Sequence, residues 1–168
     1  MIVAASLLII FIPMLAETAL SARHDRALRA SGAIEPPGDV IAMMQVAYPG
    51  SFAVMLAEGW WRGVQMDGLV VAGALLFAAA KGLKYWAIAA LGPRWTFRVL
   101  VPPGSTSTRT GPYQWFDHPN YLAVAGELLG AALALHAAIA GPIAVTGFSL
   151  LMIKRVGIEE RALAGARR

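Results

Sequence analysis

Residues 2–20 read IVAASLLIIFIPMLAETAL, with Glu17 as the one ionisable side chain. A helix needs about 20 mostly apolar residues to cross a hydrocarbon layer of about 30 Å, so this stretch predicts a transmembrane span. No Lys or Arg precedes it, and a cleaved leader normally carries a positive n-region, so it reads as a retained span. Four further spans follow outward from it. Residues 40–57 form the second, interrupted by Pro49-Gly50, where a kink is expected. Residues 69–91 form the third and carry Lys81 and Lys84 in their second half. Residues 119–135 and 138–153 are both short for a span. Joined by His136-Ala137, they predict a tight helical hairpin.

Composition agrees with that reading. Of 168 residues, 58% are hydrophobic and 14% charged, and the mean hydropathy is +0.60. Ordinary soluble domains have about 45–50% apolar and about 25% charged residues. One small core cannot hide the excess apolar surface from water. The chain is therefore read as one all-α domain over 1–168, a polytopic integral membrane protein of about five transmembrane helices. Within it, 1–91 supplies three N-terminal spans and 92–168 a loop, the hairpin and a tail. With no Cys, there is no disulfide framework, thiolate nucleophile or Cys-based metal site. The three histidines, His24, His118 and His136, have no metal-ligand spacing, so no metal is expected.

The cations fix an orientation. Arg23, Arg26 and Arg29 follow the first span, and Arg94, Arg98 and Arg109 follow the third. Lys154, Arg155, Arg161, Arg167 and Arg168 follow the fifth, while Arg62 alone lies on the opposite side. Five spans put all three basic segments on one face, which the positive-inside rule assigns to the cytoplasm with the amino terminus outside. Cations that flank spans do not form a nucleic-acid face, despite a pI near 9.9.

Polar chemistry concentrates on that face. The connection 92–118 is dense in Pro and Gly, carries Ser105, Thr106, Ser107 and Thr108, and has a length more often functional than passive in so small a protein. It closes on GPYQWFDHPNY, residues 111–121, where Pro119 suits a first helical position and puts His118 at the helix cap. The structural alternative is a helix entry flanked by interfacial Tyr113, Trp115 and Tyr121. Asn120 and Glu127 share a helix face, and an ionisable group as deep as Glu127 needs a partner or a wet cavity. In the tail, Arg155 and Glu159 are spaced to pair along a helix, beside Glu160. Lys81 and Lys84 are read as snorkelling toward the cytoplasm, and Glu17 as paired inside the bundle. No G-x-G-x-x-G, G-x-S-x-G, H-E-x-x-H or P-loop is present.

GPYQWFDHPNY, a short hairpin and then KRVGIEERAL resemble the isoprenylcysteine carboxyl methyltransferase family over about residues 85–163. The family pattern is a GPY element, an RHPxYxG element and a later Arg followed by paired glutamates. Here Asp117 stands in place of that Arg and Ala123 in place of the Gly. The resemblance implies a helical membrane enzyme that moves methyl from S-adenosyl-L-methionine to an oxygen of a lipophilic or prenylated substrate. It implies cofactor contacts at Ser105, Thr106, Ser107, Thr108, Tyr113, His118, Asn120, Tyr121, Glu159 and Glu160. It also implies a catalytic pair, Arg155 orienting an acceptor carboxylate and Glu159 holding the cofactor. Residues 16–35, AETALSARHDRALRASGAIE, resemble a prokaryotic subgroup associated with phenolic lipids or alkylpyrones, which implies a bacterial inner membrane. A phenol would need its proton removed or its anion stabilised, for which Arg155, Lys84 and His118 are the candidates. Two other classes remain open: a nicotinamide-dependent membrane reductase of the sterol-reductase type, which shares an HPNY element, and an inactive membrane scaffold.

Overall fold

The computed structural model describes residues 1–102 and 108–165, with side chains to residue 161. Among the described residues there are five α-helices and no strand. These are α1 (Ile2–Ala30), α2 (Ile41–Arg62), α3 (Gly68–Leu91), α4 (Pro119–Ala134) and α5 (Ala140–Gly165), with 3-10 turns at Gly92–Arg94 and Gly111–Gln114. Three segments, Ile2–Ala30, Gly68–Arg94 and Ala140–Arg161, are long and apolar enough to cross a membrane. Their outward faces carry exposed Leu8, Ile9, Ile12, Leu15, Leu75, Ile143, Leu150 and Ile153. A water-facing monomer seldom shows an apolar surface of that extent.

Two helices outrun their apolar stretches. α1 continues ten residues past Leu20, and α5 runs through the tail, so Arg155, Glu159 and Glu160 are helical. The link between α4 and α5 spans residues 135–139 rather than two residues, with His136 at φ 50°. Glu58 at the end of α2 accepts from the Ile139 and Ala140 N–H groups and so covers the open start of α5. Pro49 lies inside a continuous α2.

At 16 residues α4 is about 24 Å long. It is a core helix, packed against α2, α3 and α5. Small residues bring α4 and α3 into backbone contact. A Cβ added at Gly130 would sit 2.6 Å from Phe77 N and 2.8 Å from Gly73 O. Close approach through small residues is how membrane helices gain packing without a hydrophobic drive between them. Gly130→Ala should therefore cost about 1–3 kcal/mol, because backbone rather than a side-chain tip must move. The check is thermal unfolding in detergent, with Gly82→Ala as control, since a Cβ there meets nothing within 4 Å. Equal transitions for the two variants would refute the backbone-contact account.

Below this contact the core is Phe52, Met55, Leu128 and Leu135, all fully buried. Phe52 meets Tyr48 and Phe77 edge-on, with ring centroids 5.0 and 6.3 Å apart. Beside it lies a charged layer. Lys81 contacts Glu17 at 2.7 Å and Glu127 at 3.3 Å, and Lys84 contacts Glu17 at 2.9 Å and Glu127 at 3.1 Å. Tyr48 donates to Glu127. The snorkelling expectation for Lys81 and Lys84 is thus corrected. Both ammonium groups are buried, because two carboxylates from α1 and α4 balance two cations from α3 within the bundle.

Candidate active site

The site forms at the end of the bundle where α1, α3 and α5 finish and α2 and α4 begin. Its frame is the segment 92–102, which the N-terminal half holds by its backbone. Ser21 accepts from the Phe97 N–H at 2.8 Å, and His24 Nδ1 lies 2.7 Å from the Trp95 carbonyl. Ile34 and Val101 form an isolated antiparallel bridge. Arg98 contacts Asp25 at 3.4 Å and Glu35 at 2.8 Å. Partial burial alone would raise the Glu35 carboxyl, but the guanidinium groups of Arg29 and Arg98 overcome this and hold it below the usual carboxylate range.

Across this frame lies the entry of α4. The left-handed Gly111 (φ 59°) starts the 3-10 turn, and a Cβ there would sit 2.7 Å from Ala90 Cβ. Pro119 opens α4 with His118 as its cap residue. The His118 side chain makes no capping hydrogen bond and faces α5 instead. Its Nε2 is 3.5 Å from Glu160 and its Nδ1 3.9 Å from Glu159. Tyr121 donates to Glu159 at 3.0 Å. Trp95 Nε1 lies 3.4 Å from Asn120 Oδ1, tying the frame to α4. Burial raises the Tyr113 phenol, and the charge of Glu159 adds to that, so Tyr113 stays protonated across the physiological range.

These elements enclose a cavity of about 440 Å³. Thr108, Tyr113, His118, Asn120, Tyr121, Arg155, Glu159 and Glu160 all line it. Ser105, Thr106 and Ser107 lie outside the described residues. Asp117 also lines the cavity, as do Arg94, Trp95, Arg98 and Arg109, none of which was singled out for the site from the sequence. Lys84 does not line it. Removed from the candidates for stabilising an acceptor anion, Lys84 is committed to Glu17 and Glu127 inside the bundle.

The expected Arg155–Glu159 helix pair is likewise corrected. Arg155 turns to Asp39, 3.5 Å away, and donates to the Phe97 carbonyl, while Glu159 takes the Tyr121 hydroxyl. Asp39 precedes the second apolar stretch and carried no motif. Its available signal was being an acid between two spans, on the face that gathers the cations. A second cavity, about 760 Å³, lies at the other end of the bundle beside Arg62, Leu133 and His136, and includes none of the predicted site residues.

Fold and site together define a helical membrane protein whose polar cavity lies at one end of its bundle. Residues 71–165, more than half of the sequence, match the isoprenylcysteine carboxyl methyltransferase family, and the chain belongs to it. It is therefore a membrane protein of a methyltransferase family. It is 27% identical over 167 residues to the uncharacterized protein YpbQ of Bacillus subtilis (strain 168), covering 92% of each chain. It is 23% identical over 146 residues to an uncharacterized protein of Haemophilus influenzae, covering 86% of this chain and 85% of that one. No solved structure matches. The family match starts inside α3, so the residues of α1 and of segment 31–40 that hold the frame lie outside it.

Proposed function

We propose that the protein is an S-adenosylmethionine-dependent O-methyltransferase acting on a lipophilic acceptor. Its cavity would face the cytoplasm of a bacterial inner membrane. The observation that carries this reading is the meeting of Glu159 and Glu160, at the end of α5, with His118 and Tyr121, at the start of α4, in one cavity. The basic segments gather at that same end, which supports its cytoplasmic placement.

The residues present fit the cofactor. The volume lies in the range of about 300–1,000 Å³ usual for small-molecule sites. Asp117, Glu159 and Glu160 supply negative charge for an ammonium and a sulfonium, and Arg109 supplies a cation for the amino-acid carboxylate. Trp95 and Tyr113 offer aromatic surface for a base, and Thr108 and Asn120 offer polar groups for ribose hydroxyls. S-adenosylmethionine supplies, when bound, an electrophilic methyl that an acceptor oxygen takes as the C–S bond breaks, the electron pair remaining on sulfur.

The protein's part is to align and to manage charge. Tyr121 fixes Glu159 by its hydrogen bond, and the backbone contacts of Ser21 and His24 fix the opposite wall. Alignment of this kind replaces the entropy that a free encounter would lose. A carboxylate acceptor arrives ionised and needs only orientation. A phenolic or pyrone hydroxyl must also lose a proton, which His118 takes and passes through Glu160, whose side chain is 65% exposed, to water. Leu91, Val99 and Leu100 supply an apolar wall for the lipophilic part.

The test incubates membranes containing the protein with methyl-labelled S-adenosylmethionine and separates the lipids. One labelled lipid heavier by a methyl group is the expected product. Thermal stabilisation by a nicotinamide dinucleotide but not by S-adenosylmethionine would replace this reading with a reductase, and stabilisation by neither with a scaffold.

A further inference from the structure

The family resemblance gives Arg155 to an acceptor carboxylate, yet inside the protein its charge is already met. Arg155 Nη2 lies 3.5 Å from Asp39 Oδ2 and donates to the Phe97 carbonyl, and Nη1 faces Met44 Sδ at 3.7 Å. Both side chains are withdrawn from water, Arg155 at 7% and Asp39 at 3% exposure. The same Asp39 oxygen lies 3.5 Å from the Val99 N–H, on the frame of the cavity that Arg155 lines. The two charges therefore form one buried neutral pair, of which Arg155 lines the cavity and Asp39 lies outside its lining.

We propose that Asp39 is the specificity-determining residue of the site. By neutralising Arg155 it selects an acceptor oxygen that arrives uncharged, as a hydroxyl on a lipophilic molecule, and turns carboxylates away. The inference rests on the methyltransferase reading above. A carboxylate brought to Arg155 would be a second anion on one guanidinium, close to Glu159. A buried charge without its own partner is costly, whereas a hydroxyl adds no charge.

Arg155 Nε and Asp39 Oδ1 are both buried without a hydrogen-bond partner, so what the pair presents to an acceptor is its neutrality and not a free polar atom. The proton that a hydroxyl gives up on methylation leaves through His118 and Glu160, as above.

The experiment uses the full chain in nanodiscs, with nonylphenol and decanoate as uncharged and anionic probes, and measures calorimetric binding of each. The wild type is expected to hold nonylphenol tighter than decanoate by at least about tenfold, the scale of one uncompensated charge. Asp39→Asn, its folding checked by its thermal transition, is expected to close that gap by about tenfold, chiefly through tighter decanoate binding. A purely structural Asp39 would weaken both probes together. Equal binding of the two probes by the wild type overturns the proposal, as does an unchanged ratio in a folded Asp39→Asn. Should that variant not fold, the wild-type ratio decides alone. Failure of the wild type to bind S-adenosylmethionine would sink the methyltransferase reading, while the ratio of probes would still report on the Asp39–Arg155 pair.

Discussion

Glu159→Ala, purified in detergent, is expected to lose S-adenosylmethionine binding by about 100-fold or more, the usual scale for removing one partner of a partly buried charge contact. The size of the effect follows from where Glu159 stands. Its carboxylate is 31% exposed, oriented by the Tyr121 hydroxyl at 3.0 Å, and shares the cavity with His118 and Glu160. A truncated side chain leaves no acid in that fixed position, since Glu160 lies mostly in water. Tyr121→Phe should weaken binding far less, by about tenfold, because it removes orientation and keeps the charge. Isothermal titration of the folded variants measures both. Unchanged binding in Glu159→Ala would show that the end of α5 does not hold the cofactor, and the proposed site would have to move.

The number and order of the helices were readable because their signal is one-dimensional. Apolar runs bounded by charge or by Pro and Gly mark five helices. The helix ends were not readable in the same way. Hydropathy stops at Leu20 and Ile153, but α1 and α5 continue, because Ser21, Leu28 and Ile158 are buried against protein rather than lipid. The entry of α4 and the paired glutamates were legible as motifs, and both reach the same cavity. The partners of the charged residues were not. Spacing put Lys81 and Lys84 on one face, but only packing brings α1 and α4 to them. Asp39 was invisible for the same reason: its importance lies in a contact with a residue more than a hundred positions away.

The second large effect concerns the charged layer of the bundle. A single ionised side chain at the centre of a membrane helix costs about 2.5–3.5 kcal/mol on insertion scales, so Glu17, Lys81, Lys84 and Glu127 would together cost about 10–14 kcal/mol if unpaired. Lys84 is the most connected member, its Nζ reaching Glu17 at 2.9 Å, Glu127 at 3.1 Å and Tyr48 Oη at 3.3 Å. Lys84→Met would leave two buried carboxylates sharing Lys81, and should cost about 3–5 kcal/mol of stability. Adding Glu127→Gln restores charge balance around Glu17 and Lys81, so the double variant should recover about half of that loss. Detergent-denaturation midpoints for the four members of the cycle give the coupling energy directly. Since Lys84 lies off the cavity, folded Lys84→Met should still bind S-adenosylmethionine. Additive effects of the two substitutions would show that the layer is a set of separate contacts, and not the electrostatic lock joining α1 to the α3–α4 pair.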